Sequence, residues 1–273
     1  MLPSFQYGGL NMYRSLEFSP VYFLLVLMLT GGGIMVQKTE AGLPEGLDDI
    51  LEEISSQYDG SWGIGVMELN TGESESANGN RQFQMEIPHL PITACGVGLS
   101  SAGVIPLDSL IAKNTLLWEK LHWSQQGGRG TCQAVLYVMG EQRVNDWIEQ
   151  EEFTGTVVRG VQFSFPDCPQ VNPNYIAAID GLGFLKIIYD DLDEPYVANM
   201  GANPPLSDHN RETLGLGNDI YGWIDETDEW RHLFIIVNNS QGSNFGIVVL
   251  AEGIDDPSDV DKGFRTIYEF LTD

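Results

Sequence analysis

Residues 62–85 read WGIGVMELNTGESESANGNRQFQM, a pattern that predicts two strands joined by a turn. Its first part, Trp62–Leu69, is almost wholly apolar and is typical of a buried strand. Asn70-Thr71-Gly72 is a turn signal, so a second strand is predicted to run to about Phe83. The domain therefore opens with an antiparallel hairpin.

Apolar residues recur at helical spacing before the hairpin, in the middle of the chain and at its end. Helices are predicted over residues 44–58, 90–101, 131–139, 141–150, 174–192 and 258–271, with short helices in 106–123 and a long loop at 160–173. This arrangement places a mostly helical insertion between the two ends of the chain.

Three further strands are predicted near the C-terminus, at residues 220–224, 232–238 and 245–251, and a turn at residues 239–243 joins the last two. The order is helix, two strands, helical middle, three strands, helix. The fold class is therefore α+β. We predict one antiparallel five-stranded sheet built from both chain ends and flanked by helices, with an all-helical lobe beside it.

The N-terminal region carries an uncharged apolar segment, VYFLLVLMLTGGGIMV at residues 21–36. It is short for a membrane span of about 20 residues, but Arg14 precedes it and Lys38 and several acids follow it, which orients the N-terminus to the cytoplasm. A cleaved signal peptide fits equally well. We predict a leader at 1–41 and a domain at 42–273, either anchored outside the membrane or released as a secreted or periplasmic protein.

The charge balance limits the partners. The chain has 39 acidic and 13 basic residues and a net charge of −26, so it repels nucleic acids and anionic membrane surfaces. Its four histidines and three cysteines (Cys95, Cys132 and Cys168) show no metal-binding spacing, so no metal and no cofactor are expected. The sequence allows two states of the three cysteines: one disulfide plus one free thiol, or buried reduced cysteines.

The order of elements resembles that of class A serine β-lactamases and their penicillin-binding relatives. Residues 62–85 look like that family's first hairpin, and TCQAVLYVMGEQRVNDWI at 131–148 resembles a buried helix and its continuation. RHLFIIVNNSQGSNFGIVVLAEG at 231–253 resembles the last hairpin. The resemblance covers residues 45–273.

The catalytic motifs of that family are replaced at the matching positions. The family's Ser-x-x-Lys supplies a nucleophile and its lysine partner, yet residues 86–91 read EIPHLP. Ser-Asp-Asn falls on Gly127-Gly128-Arg129, unless an insertion brings Ser124 there. The Lys-Thr-Gly region reads WIDETD at 223–228, and Asp167 is the one acid in the loop that carries the family's general base.

The resemblance implies six residues that line the cleft between the lobes: Glu86, His89, Ser124, Arg129, Asp225 and Glu226. Glu86 and His89 form a candidate acid–base pair; the alternative is that Glu86 caps a helix and His89 faces solvent or a neighbour. Arg129 either grips a ligand carboxylate or pairs with an acid of the chain.

Two functions follow. The first is a non-catalytic, extracytoplasmic domain that binds a protein partner, a membrane complex or a cell-wall peptide. The alternative is an active serine hydrolase with an atypical site, in which Ser124 or a reactive cysteine is the nucleophile. An anionic β-lactam would be repelled by Asp225 and Glu226 at the position of the family's cation.

Overall fold

The computed structural model describes residues 42–108, 110–112, 115–117, 129–160, 173–191, 208–216, 220–238 and 243–272. All of them belong to one unit, Ala41–Asp273. The hydrophobic segment at 21–36 lies outside the described residues. In the part of the chain that is described, no helix is both long and apolar enough to cross a membrane.

The described elements follow the predicted order. The helices are α1 Leu47–Gln57, α2 His89–Ser101, α3 Arg129–Met139, α4 Glu141–Gln150, α5 Ala178–Asp190, α6 Asp208–Leu214 and α7 Ser258–Thr272. The strands are β1 Ser61–Glu68, β2 Ser74–Ala77, β3 Gln82–Met85, β4 Leu110–Ala112, β5 Thr115–Leu116, β6 Asn174–Ala177, β7 Ile220–Glu226, β8 Trp230–Asn238 and β9 Asn244–Glu252.

The main sheet has five strands in the order β2-β1-β9-β8-β7. All four pairings are antiparallel, and β1 from the N-terminal half lies directly beside β9 from the C-terminal half. The prediction of a single antiparallel sheet built from both chain ends is confirmed.

Each face of this sheet supports its own hydrophobic core. Ile64, Leu233 and Val249 point to one face and pack with α1 and α7. Phe234 and Val248 point to the other face and pack with the helical lobe, chiefly α2 and α5. Burying each such side chain contributes about 1.5–3 kcal/mol, and burial on both faces explains why β1 and β9 read as apolar runs rather than as alternating strands.

Two glycines in β1 let neighbouring elements approach the sheet closely. A Cβ on Gly63 would stand 2.5 Å from the Phe83 ring, and one on Gly65 would stand 2.8 Å from Cδ1 of Leu182 in α5. The segment WGIGV therefore provides space for β3 and α5 where larger residues would collide.

The second half of the predicted hairpin is divided. β2 ends at Ala77, Asn78 takes a left-handed conformation with φ 51°, and the chain leaves the sheet before β3 begins at Gln82. β3 then pairs with β6 instead of β1. The Asn78-Gly79 pair tolerates this backbone, so one long strand is replaced by two short ones.

Two other local predictions are wrong. Residues 174–177 form β6 rather than the first turn of a helix, because pairing with β3 satisfies their backbone groups. Residues 110–112 and 115–116 form a small antiparallel pair where short helices were predicted. The long loop predicted at 160–173 falls mainly on residues 161–172, outside the described residues.

Candidate functional site

The start of α2 meets β7 through a buried carboxylate. The backbone N–H of Glu86 donates to Oδ2 of Asp225 over 3.1 Å, and the indole N–H of Trp230 donates to the same oxygen over 3.1 Å. Asp225 and Glu86 are only 7% and 6% exposed. Two acidic residues therefore lie together at the junction of the helical lobe and the sheet.

This environment changes the acidity of Asp225. Burial raises its pKa from 3.8 to about 6, and the nearby charge of Glu86 adds to the effect. Hydrogen bonds from the backbone of Glu86 and from Trp230 oppose the shift without cancelling it. The pKa of Asp225 therefore lies well above the usual range of an aspartate.

Asn174 fixes the backbone around Glu86 from the other side. Its Nδ2 group donates to the carbonyl oxygens of Met85, Glu86 and Gly160 at 3.2, 3.3 and 2.8 Å, and its Oδ1 accepts the N–H of Arg159 at 2.6 Å. The side chain is fully buried. Nothing in the local sequence marks this asparagine, because its partners are distant along the chain.

His89 is the first residue of α2 and is 7% exposed. Burial lowers its pKa from 6.5 to about 4, so the ring is neutral. Among the described residues its Nδ1 has no hydrogen-bond partner, and the same holds for the indole nitrogen of Trp223, which is on the same face of β7 as Asp225. Of the two alternatives, that His89 faces solvent or a neighbour, the burial of the ring favours a neighbour.

Glu86 lies two residues before the N-cap position of α2. Pro88 occupies the N-cap position, with no side-chain hydrogen bond to the helix. The carboxylate of Glu86 is buried instead.

A second histidine, His232 on β8, completes the packing around Asp225. It is opposite Asp225 in the strand register, and its ring stacks on Trp230 with centroids 6.2 Å apart. Nδ1 accepts the N–H of Ala251 at 3.3 Å, which leaves Nε2 as the protonated atom, 2.7 Å from the carbonyl oxygen of Gln84. Burial lowers its pKa to about 4.

Comparison with solved structures identifies the architecture. A β-lactamase from Chitinophaga pinensis superimposes with a TM-score of 0.66 at 16% identity, covering 82% of this chain and 98% of that one. A class A β-lactamase from Bacteroides cellulosilyticus gives 0.65 at 15%, covering 82% and 98%. One from Sphaerobacter thermophilus gives 0.62 at 14%, covering 82% and 94%.

The chain has the fold of a class A serine β-lactamase. The predicted resemblance is confirmed at the level of the fold. No protein-family description matches the sequence, and no curated protein matches it.

Within this β-lactamase fold, the structure brings together Glu86 and Asp225 from the predicted set and separates Glu226 from them. Neighbouring residues on a strand point to opposite faces, and Glu226 pairs with Arg231, which also binds Asp261 of α7 at 2.8 Å. Arg231 is 5% exposed. Glu226, which was expected to line the cleft with Asp225, therefore lies on the opposite face of β7 and pairs with Arg231 there.

The remaining predicted residues add no nucleophile to the described part of this β-lactamase fold. Cys95 and Cys132 are buried free thiols, and burial raises both pKa values to about 12, which removes the reactive thiolate. Ser124, Asp167 and Cys168 lie outside the described residues, as does the side chain of Arg129. The described residues contain no group of three or more ligands that could hold a metal.

Proposed function

We propose that this β-lactamase-like domain is non-catalytic and acts by binding. The observation that carries the proposal is the contact between Glu86 and Asp225. Glu86 is at the start of the buried helix, where related enzymes carry the nucleophile. Asp225 is on the strand where those enzymes carry a cation. Here both positions hold buried acids, and the strand acid is hydrogen-bonded across the junction.

The sequence supports the same conclusion. None of the lysines (Lys38, Lys113, Lys120, Lys186 and Lys262) follows a serine by three positions, so Ser-x-x-Lys occurs nowhere in the chain. Ser-Asp-Asn and Lys-Thr-Gly are also absent from it. Losing a nucleophile or its base lowers the rate of such enzymes by several orders of magnitude.

The location we propose follows from the apolar segment at 21–36 and the charges beside it. The domain is exported and is either held outside the cytoplasmic membrane or released after cleavage. Its partner is a protein, a subunit of a membrane complex or a cell-wall peptide. A net charge of −26 makes a nucleic acid an unfavourable partner.

The catalytic question is tested by incubating the full-length chain with a fluorescent penicillin and measuring its intact mass. A catalytic penicillin-binding protein in a parallel sample serves as the positive control. We expect no covalent adduct on a sample that is folded by circular dichroism. An acyl adduct that disappears in Ser124→Ala would establish the alternative, an active serine hydrolase.

The proposal that the domain acts by binding is tested by photo-crosslinking in the native membrane and exported fractions. A photoreactive amino acid replaces Trp230, the partly exposed neighbour of Asp225. In the matched control it replaces Tyr137, which is 86% exposed on α3. We expect one crosslinked product at position 230 that is missing at position 137. Identical products at both positions, or none at 230, would contradict binding at this junction.

A further inference from the structure

Asp225 is the side chain that ties β7 to the segment leading into α2. Its hydrogen-bond donors are the backbone of Glu86 and the indole of Trp230, both neutral groups. A buried carboxylate is usually balanced by a cation. In the described part of the chain, Asp225 accepts hydrogen bonds from N–H groups instead of pairing with a cation. A second acid, Glu86, lies beside it.

The ionised form of this contact is consequently disfavoured. Asp225 and Glu86 are both more than nine-tenths buried, so water screens their mutual repulsion poorly. A proton on Asp225 removes that repulsion and the cost of its desolvated charge. Burial and the charge of Glu86 together place the pKa of Asp225 at about 6.

The other titratable groups around Asp225 do not change charge in the same range. Cys132 of α3 has a pKa raised to about 12, and Asp225 is one of the charges that act on it. His232, opposite on β8, and His89, at the start of α2, have pKa values lowered to about 4. Among the described residues, a transition near pH 6 at this junction therefore reports the carboxyl group of Asp225.

We propose that the hydrogen bond between Asp225 and the backbone of Glu86 is a proton-operated latch. Proton uptake by Asp225 holds the start of α2 against β7, and proton release weakens that contact. The closed arrangement binds the proton more tightly than an open one in which Asp225 is hydrated. By linkage, acidification favours the closed arrangement and a rise in pH favours the open one. The latch controls access to the junction and does not depend on which partner binds there.

The size of the effect follows from the two pKa values. An open, hydrated Asp225 has a pKa near 3.8, and the closed one has a pKa of about 6. A difference of about two units corresponds to a change of about 100-fold in the opening equilibrium across the full titration.

Hydrogen–deuterium exchange of the full-length chain tests the latch directly. The amides of Glu86 and Ile87 are followed at about pH 5 and about pH 7.5, after correction for the pH dependence of intrinsic exchange. We expect their protection to fall by about 10-fold at the higher pH, because the interval from about pH 5 to about pH 7.5 covers only part of the full titration. Asp225→Asn cannot ionise, so its protection is expected to be the same at both pH values.

Glu226→Gln is the matched control, because it removes the neighbouring acid on the opposite face of β7 and leaves Asp225 intact. It is expected to retain the wild-type pH dependence. A second variant, Glu86→Gln, removes the like charge and is expected to move the midpoint below that of the wild type. Equal protection at both pH values in the wild type, or a midpoint that Glu86→Gln leaves unchanged, would overturn the latch.

Discussion

Replacing His232 by glutamine should change how the stability of the domain depends on pH. His232 is fully buried and neutral, and both ring nitrogens have backbone partners, Ala251 and Gln84. Protonating the ring would place a charge in the core and remove the acceptor at Nδ1. Glutamine is polar and of similar length, but it does not titrate.

The magnitude follows from the depressed pKa of His232. Its pKa falls from 6.5 in the unfolded chain to about 4 in the folded one. Protons therefore bind the unfolded chain more tightly, and the contribution to the free energy of unfolding is complete above about pH 6.5 and lost as the pH falls to about 4. A difference of about 2.5 units corresponds to about 3 kcal/mol.

The assay is urea unfolding, followed by circular dichroism, from about pH 8 to about pH 4.5. At pH 8, His232→Gln should be less stable by about 1–3 kcal/mol because its hydrogen bonds and packing are imperfect. This deficit should shrink or reverse as the pH falls, since only the wild type loses the histidine contribution. Phe83→Leu, which alters a ring packed on His232, is the control. Its loss in free energy of unfolding relative to the wild type is expected to be the same at every pH. Parallel wild-type and His232→Gln curves would refute the argument.

Two further pairs of substitutions test a buried hydrogen-bonded carboxylate and a closely packed glycine elsewhere in the domain. Asp180→Ala should lower the free energy of unfolding by about 2 kcal/mol, because its buried carboxylate accepts the N–H of Gly155 and the hydroxyl of Thr156, each at 2.8 Å. Lys186→Ala, which removes an exposed ion pair with Asp190, should cost less than about 0.5 kcal/mol in the same urea titration. Gly60→Ala should destabilise by more than about 1 kcal/mol relative to Gly46→Ala in thermal unfolding. Both glycines have positive φ, but only at Gly60 would a Cβ collide with the backbone, 2.6 Å from the carbonyl oxygen of Glu252. Equal losses at the two glycines would show that the collision is relieved.

The sheet and most helices could be predicted because their signals are local. Val144, Trp147 and Ile148 were expected to point inward from the helix at 141–150, and all three are buried on α4. The segment 174–177 could not be assigned in this way, because its short apolar pattern suits a helix or a strand. The distant partner β3 decides between them.

The site was predicted less well than the fold. Alternation along β7 was sufficient to separate Asp225 from Glu226, since adjacent strand residues face opposite ways. Asn174 and His232 could not be found from sequence, because their partners, Glu86 and Gln84, are more than 80 residues away along the chain. The contacts that define the junction are therefore mainly non-local.

Fold and site respond to different constraints in this molecule. The two cores are built from apolar side chains on the faces of the sheet, and their burial supplies the favourable free energy of folding. Asp225 works against that stability, because burial makes its charged form costly. A group that opposes folding yet is held in place by two directed hydrogen bonds marks a functional position more reliably than a buried apolar residue does. This contrast is the reason to look for function at the Glu86–Asp225 contact, although Ser-x-x-Lys, Ser-Asp-Asn and Lys-Thr-Gly do not occur in the sequence.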